Sequence, residues 1–211
     1  MPGRFIVIEG PEGAGKTTLV KAIAERLRAD GVPVVSVREP GGTDVAELLR
    51  RELLDADRAW TPEAELLYMT TARADLVARV IRPVLAEGKV VLSDRYDLST
   101  LAYQGGGRGL PLEHLHWVNR AATGGLVPDR TLVLDIPAEL GRARQAAAGK
   151  GQDRLEREDG AFHDRVVAAY RAAIGPGIVH LDASGSPAEV LSAAWAELAR
   201  LDADTFRPLG E

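Results

Sequence analysis

"IEGPEGAGKTT", Ile8 to Thr18, closes the apolar run "RFIVIE" and opens a helix-period segment that reaches about Ala29. Gly10, Gly13, Gly15, Lys16 and Thr17 satisfy the pattern G-x-x-x-x-G-K-[ST]. In that pattern backbone N–H groups cradle phosphates, the lysine reaches the outer phosphate oxygens, and the hydroxyl ligates Mg²⁺. The helix that follows adds the positive end of its dipole. A strand before and a helix after are the context the pattern requires. The stretch therefore predicts a P-loop nucleotide-binding fold, without fixing a reaction. Its odd member is Glu12, a carboxylate inside a loop built for anions.

Outward from the loop, apolar runs alternate with helix-period segments. "VPVVSVRE" reads as a strand stopped by Pro40, and Asp44 to Leu54 as a helix. Thr61 and Pro62 are placed as N-cap and first position of a further helix, which Pro83 should end or kink. "KVVLSD", "RTLVLDI" and "GIVHLD" are three more strands, and Pro187 to Leu201 is the last helix. Continuous apolar strands separated by helices predict an α/β fold: a five-stranded parallel sheet with helices on both faces. With 211 residues and no long linker, residues 1–211 read as a single domain. The polar stretch at about 145–159 reads either as a short lid or as a solvated loop. The Gly105 to Gly109 run reads as a tight turn after a helix.

Composition narrows the function classes. The net charge of −5 disfavours broad binding of nucleic acid. No run of about 18 apolar residues predicts a membrane span, and "MPGRFIVIEGP" lacks the features of a signal peptide. The absence of cysteine excludes disulfides and is compatible with a cytoplasmic location. The four histidines show no metal-ligand spacing.

The strands also carry charge where ligands bind in open α/β sheets, at their carboxyl ends. "VVLSD" delivers Asp94, a candidate acidic metal ligand, and then Arg95; "VVSVRE" delivers Arg38. Two arginines opposite a P-loop suggest an acceptor that is itself a phosphate ester; the alternative for each is an ordinary surface ion pair. A guanine-reading Asn-Lys-x-Asp stretch is missing, since Asn119 is the only asparagine.

"FIVIEGPEGAGKTT", "REPGGT", "ELLYMTTAR", "VVLSDRYDLSTLAYQGGGRGL", "PDRTLVLDI" and "DRLERED…FHDRVVAAY" occur in this order. In that order and spacing the chain resembles the bacterial thymidylate kinases from near its start to its last helix. The resemblance implies transfer of the ATP γ-phosphoryl group to dTMP with Mg²⁺, in a homodimer packed through long helices. It implies that residues 10–18, including Pro11, Ala14 and Thr18, hold ATP, and that Thr17 and Asp94 hold Mg²⁺. Glu12 then faces the acceptor sugar, Arg95 bridges the acceptor phosphate and the transferred group, and Arg38 orders the acceptor side. Arg73, Thr100 and Gln104 read the base, and Tyr103 packs under the deoxyribose. Arg154, in "DRLE", is the lid arginine for the transition state, with Asp153 and Glu156 orienting it or the metal shell. Arg144, Lys150 and Arg157 are its competitors. Similar sequences usually carry a base-stacking phenylalanine where this chain has Met69, which offers a polarizable but not a flat contact. The alternative function is another P-loop nucleoside monophosphate or deoxynucleoside kinase.

Overall fold

The structure, a computed structural model, describes residues 3–147, 149 and 153–207. Lys150 therefore lies outside the described residues. In chain order the elements are β1 (Arg4–Glu9), α1 (Lys16–Ala29), β2 (Val34–Arg38), α2 (Asp44–Leu54), α3 (Pro62–Leu76), α4 (Arg82–Ala86), β3 (Val90–Asp94) and α5 (Asp97–Thr100). They continue with α6 (Leu112–Thr123), β4 (Arg130–Asp135), α7 (Ala138–Ala147), α8 (Gly160–Arg171), β5 (Ile178–Asp182) and α9 (Pro187–Leu201). The strands form one parallel sheet in the order β2-β3-β1-β4-β5. It is the five-stranded sheet expected from the apolar runs.

Strand alternation divides the core into two faces. Ile6 and Ile8 point into a cluster with Leu92, Leu132 and Leu134, closed by Ile23 and Leu27 of α1 and Trp195 and Leu198 of α9. Phe5, Val7 and Val91 point the other way, onto Leu76, Val77, Ile81 and Tyr96. Val133 joins Tyr103, Phe162 and Tyr170 under α8. Each of these buried apolar side chains contributes about 1.5–3 kcal/mol relative to exposure. Burial on both faces is why the strands read as continuous rather than alternating apolar runs.

Two helical segments differ from expectation. Pro83 does not end its helix: α3 widens into a π-helical turn, Val77–Ile81, and α4 continues the path with Pro83 in its first turn. The register change precedes the proline, which then sits where its missing N–H is not needed. Gly105–Gly107 do not form a tight turn after a helix. They complete a π-helical stretch, Leu101–Gly107, that continues α5. A Cβ on Gly107 would lie 2.4 Å from the Phe162 ring, and one on Gly106 2.8 Å from Ala169. These glycines let α8 approach, and the positive-φ turn comes only at Gly109.

Thr61 caps α3 as expected, accepting from Ala64 N at 3.3 Å with Pro62 in the first turn. No described helix is long and apolar enough to cross a membrane.

Candidate active site

The site lies at the carboxyl ends of β1 and β3. Register Ile8↔Asp94 sets the end of β3 beside the start of the loop. Gly10 and Gly13 adopt φ 137° and 73°. A Cβ on Gly10 would sit 2.7 Å from Leu134 O, and one on Gly13 2.3 Å from Gly141 O in α7. Glycine is thus required both by conformation and by close approach. α1 starts after Gly15 with no side-chain cap, leaving its first N–H groups for an anion.

Lys16 is buried and donates to Pro11 O at 2.7 Å, folding over the loop. Burial, with the charge of Arg95, pulls its pKa down to about 8. Thr17 Oγ1 donates to Asp94 Oδ2 at 2.5 Å. A hydroxyl and a carboxylate in contact at the loop mouth suit a hard cation that keeps most of its ligands as water and phosphate.

Glu12 has a cation of its own. Arg95 NH2 donates to Glu12 Oε1 at 2.7 Å, and the Tyr103 hydroxyl donates to the same oxygen at 2.7 Å. Burial alone would raise the Glu12 pKa, but Arg95 and then Lys16 bring it down to about 2. Arg95 is the one non-glycine residue with positive φ among those described, at 76°, a conformation that costs about 1–3 kcal/mol. Its guanidinium also meets Tyr103 OH and Tyr170 OH at 3.0 Å and Ser99 Oγ and Gly10 O at 3.3 Å. It lies over the Tyr103 ring, 5.0 Å from the centroid. Beneath it, fully buried Glu9 accepts from Tyr96 N (2.7 Å), Ser99 N (3.1 Å), Ser99 Oγ (2.7 Å) and Tyr170 OH (2.9 Å). Burial raises the Glu9 pKa despite these donors and Arg95.

A second buried group surrounds Arg73, which is 1% exposed. Its Nε donates to Glu39 (2.7 Å), NH1 to Thr100 Oγ1 (2.8 Å) and Asn119 Oδ1 (2.6 Å), and NH2 to Tyr96 O (2.7 Å). Four of its five N–H groups are thereby used. Burial pushes the Glu39 pKa up to about 7 against the pull of Arg73. Gln104 Nε2 donates to Glu65 Oε1 at 2.8 Å, and Met69 is buried on the same α3. Tyr68 packs against Trp60 (centroids 4.2 Å apart, ring planes 56° apart) and does not take the place of a flat residue at 69.

The structure thus brings together residues 10–18, Asp94, Arg95 and Tyr103, and gathers Arg73 and Thr100 beside them; Gln104 meets the separate carboxylate of Glu65, and Met69 is buried on the helix that carries that carboxylate. It does not bring Arg38 or Arg154 to the loop. Arg38 is half exposed and pairs with both oxygens of Glu47 at 3.1 and 3.2 Å. Arg154 is buried, donating from Nε to Leu53 O at 2.9 Å and lying 2.7 Å from Glu65. Asp153 and Glu156 do not orient it; each accepts from the other's backbone N–H, at 3.0 and 3.1 Å. With Leu155 also in the core and Arg108 on Glu158 at 2.7 Å, residues 153–158 are not a solvated loop. Arg144 is pinned to Ala183 O, Ser184 O and Gly185 O. There it forms one wall of a cavity of about 210 Å³ whose other sides include Gly13, Gly15, Thr18, Leu19 and Pro187.

Sequence reasoning missed Glu9, Glu39 as a partner, Glu65, Ser99, Asn119 and Tyr170. Glu9 carried a signal: it is an acid closing an otherwise apolar run, Phe5 to Ile8, a position that demands buried partners.

A family model described as thymidylate kinase matches residues 8–194. A thymidylate kinase of Rhizorhabdus wittichii is 49% identical over 207 residues, 95% of this chain and 99% of that one. One from Cereibacter sphaeroides (strain ATCC 17029) is 49% identical over 205 residues, 93% of this chain and 94% of its own. One from Pseudomonas fluorescens (strain Pf0-1) is 52% identical over 171 residues, 81% of each chain. With the loop, the Arg95–Glu12 pair and the buried Arg73 group all falling inside the matched span, the chain belongs to the thymidylate kinase family.

Proposed function

We propose that the protein transfers the γ-phosphoryl group of ATP to dTMP, giving dTDP and ADP. The observation that carries this reading is the cation Arg95, held across from Lys16 by the loop's own carboxylate. Charge for two phosphate groups therefore converges on one point. ATP lies with its phosphates on the loop and its base in the cavity walled by Arg144. Thr17 and Asp94 hold Mg²⁺, which supplies charge neutralisation of the phosphate oxygens when bound.

A 5′-phosphate oxygen of dTMP forms the new P–O bond as the bond to the β-phosphate oxygen of ADP breaks. The acceptor oxygen already carries charge near neutral pH, so no general base is needed, and Glu12 serves by placing Arg95. Positioning and electrostatic stabilisation are what phosphoryl transfer requires of a protein. Arg73, Thr100 and Gln104 read the base, Tyr103 supports the sugar, and Arg38 and Arg154 join on closure. ADP release with MgATP and a panel of nucleoside monophosphates tests this. Turnover of dTMP should exceed that of AMP, GMP and CMP by at least about a hundredfold, since buried polar groups left unpaired reject the wrong base. Equal turnover of all four overturns the assignment.

We further propose a homodimer. Exposed Val45 and Leu48 on α2, Leu67 on α3, and Leu112 and Trp117 on α6 support it, because α3 packs against both other helices. Sedimentation should give about twice the 22.6 kDa chain mass, and Leu67→Glu should shift it toward the monomer.

A further inference from the structure

Base selectivity by hydrogen bonding depends on which atoms the reading side chains present. Thr100 and Gln104 lie four residues apart on the continuous helical path Asp97–Gly107, both fully buried. Thr100 Oγ1 accepts from Arg73 at 2.8 Å. Arginine only donates, so the threonine hydrogen is turned away from Arg73 and is available to an acceptor. Gln104 Nε2 donates to Glu65 Oε1 at 2.8 Å, and Gln104 Oε1 is buried with no partner. Glu65 itself is fully buried. Arg108 grips it through Nε at 3.2 Å and NH2 at 2.9 Å, and Arg154 lies 2.7 Å away. Between two guanidinium groups it stays ionised, and an ionised carboxylate can only accept. The reversed amide, with Oε1 against Glu65, is excluded by repulsion between oxygens.

We propose that Glu65 is a specificity-determining positioning residue that locks the Gln104 amide with its carbonyl oxygen left for the acceptor base. The proposal rests on the function given above. One hydroxyl donor beside one carbonyl acceptor matches a ring edge carrying C=O beside N–H, as in thymine. Cytosine places an amino donor and a ring-nitrogen acceptor there, so it meets donor with donor and acceptor with acceptor. Arg108, which holds both carboxylate oxygens, keeps Glu65 in the state that makes the lock one-directional.

The test is kcat/KM for dTMP and for dCMP, with MgATP, in the full chain and in Glu65→Gln, Gln104→Met and the double variant. A glutamine at 65 both donates and accepts, so the amide at 104 is released. The dTMP-over-dCMP ratio should fall at least about tenfold in Glu65→Gln, about 1.4 kcal/mol, and should fall in Gln104→Met. The double variant should lose no more than Gln104→Met alone. A ratio in Glu65→Gln within about threefold of the parent overturns the proposal. So does a double variant in which the two losses multiply, the signature of independent effects on packing. Should Glu65→Gln not fold, Glu65→Asp replaces it under the same criterion, its carboxylate drawn back from Gln104 by one methylene. If the parent does not use dTMP, the proposed function fails; if it prefers dTMP and the ratios stay put, only the role of Glu65 fails.

Discussion

A carboxylate in an anion-binding loop requires a cation of its own, and Arg95 is that cation. The pair is mutual: Glu12 takes donors from Arg95 and Tyr103, and Arg95 is held besides by Tyr170 and Ser99. Removing the charge of Glu12 leaves Arg95 without its anionic anchor but leaves the loop N–H groups and the Lys16–Pro11 hydrogen bond in place. Glu12→Gln should therefore lower kcat with dTMP at least about tenfold, about 1.4 kcal/mol of transition-state stabilisation. MgATP affinity should stay level or rise, since a negative charge beside the phosphates has gone. Steady-state kinetics with each substrate varied in turn, alongside calorimetry of nucleotide binding, checks both; a loss confined to ATP affinity contradicts the assignment. At this scale the loop residues were legible because their spacing is local. Glu9, Ser99 and Tyr170 were not, because their meaning lies in partners 90 and 161 residues away. A lone acid ending an apolar strand gives the demand for partners without saying which.

Among the elements, the strands were legible because burial on two faces leaves a continuous apolar signature, and the cap at Thr61 because it is a local hydrogen bond. The π-helical turns were not, since the register shift before Pro83 and the glycine path beside α8 are set by tertiary packing. The β4–β5–α8 junction shows the same dependence. His180 on β5 places Nδ1 2.8 Å from Asp135 Oδ2 and Nε2 2.7 Å from Ala173 O, just beyond α8. Two acceptors, one on each ring nitrogen, require the doubly protonated ring. Burial acts to lower the His180 pKa, but the Ala173 carbonyl and Asp135 outweigh it, and the net shift is upward from 6.5. A histidine whose folded pKa is raised contributes stability that is complete below the unfolded value and lost as pH rises through the folded one. Urea unfolding of the parent should thus show stability falling as pH rises from about 6.5. Subtracting the same series for His180→Phe isolates the contribution, which screening at a partly exposed pair limits to about 1 kcal/mol. Parallel pH curves for the two proteins would show that the ring is not charged in the folded state.

At the scale of the molecule, the sheet brings the glycine-rich loop after β1 and Arg95 after β3 together at its carboxyl end, and residues 153–158 pack on the helices beside it. Arg154 is the residue on which the two views of that segment diverge. Its contacts with Leu53 O and Glu65 make it a strut tying the segment to α2 and α3. The transition state calls for something else: charge spreads over the transferred phosphoryl oxygens, and the loop positions Pro11 to Ala14 offer no base to meet it. Were Arg154 to leave for the transferred group, Glu65 would keep Arg108, so its release would not strand a buried carboxylate and would exchange one ion pair for another. Kinetics separates the two roles. Loss of a strut lowers the melting temperature and leaves kcat nearly level. Loss of a group that binds only the transition state lowers kcat and leaves ground-state dTMP affinity in place. Arginine fingers contribute about 10³–10⁵ in rate, and with Lys16 and Arg95 still present the low end applies. Arg154→Ala should lower kcat far more than about tenfold, with dTMP affinity by calorimetry changed less than about threefold; Arg157→Ala, measured beside it, should lose less. A kcat loss under about tenfold, about 1.4 kcal/mol, with a clear drop in melting temperature would leave Arg154 as the strut alone and assign the charge on the transferred group to Lys16 and Arg95.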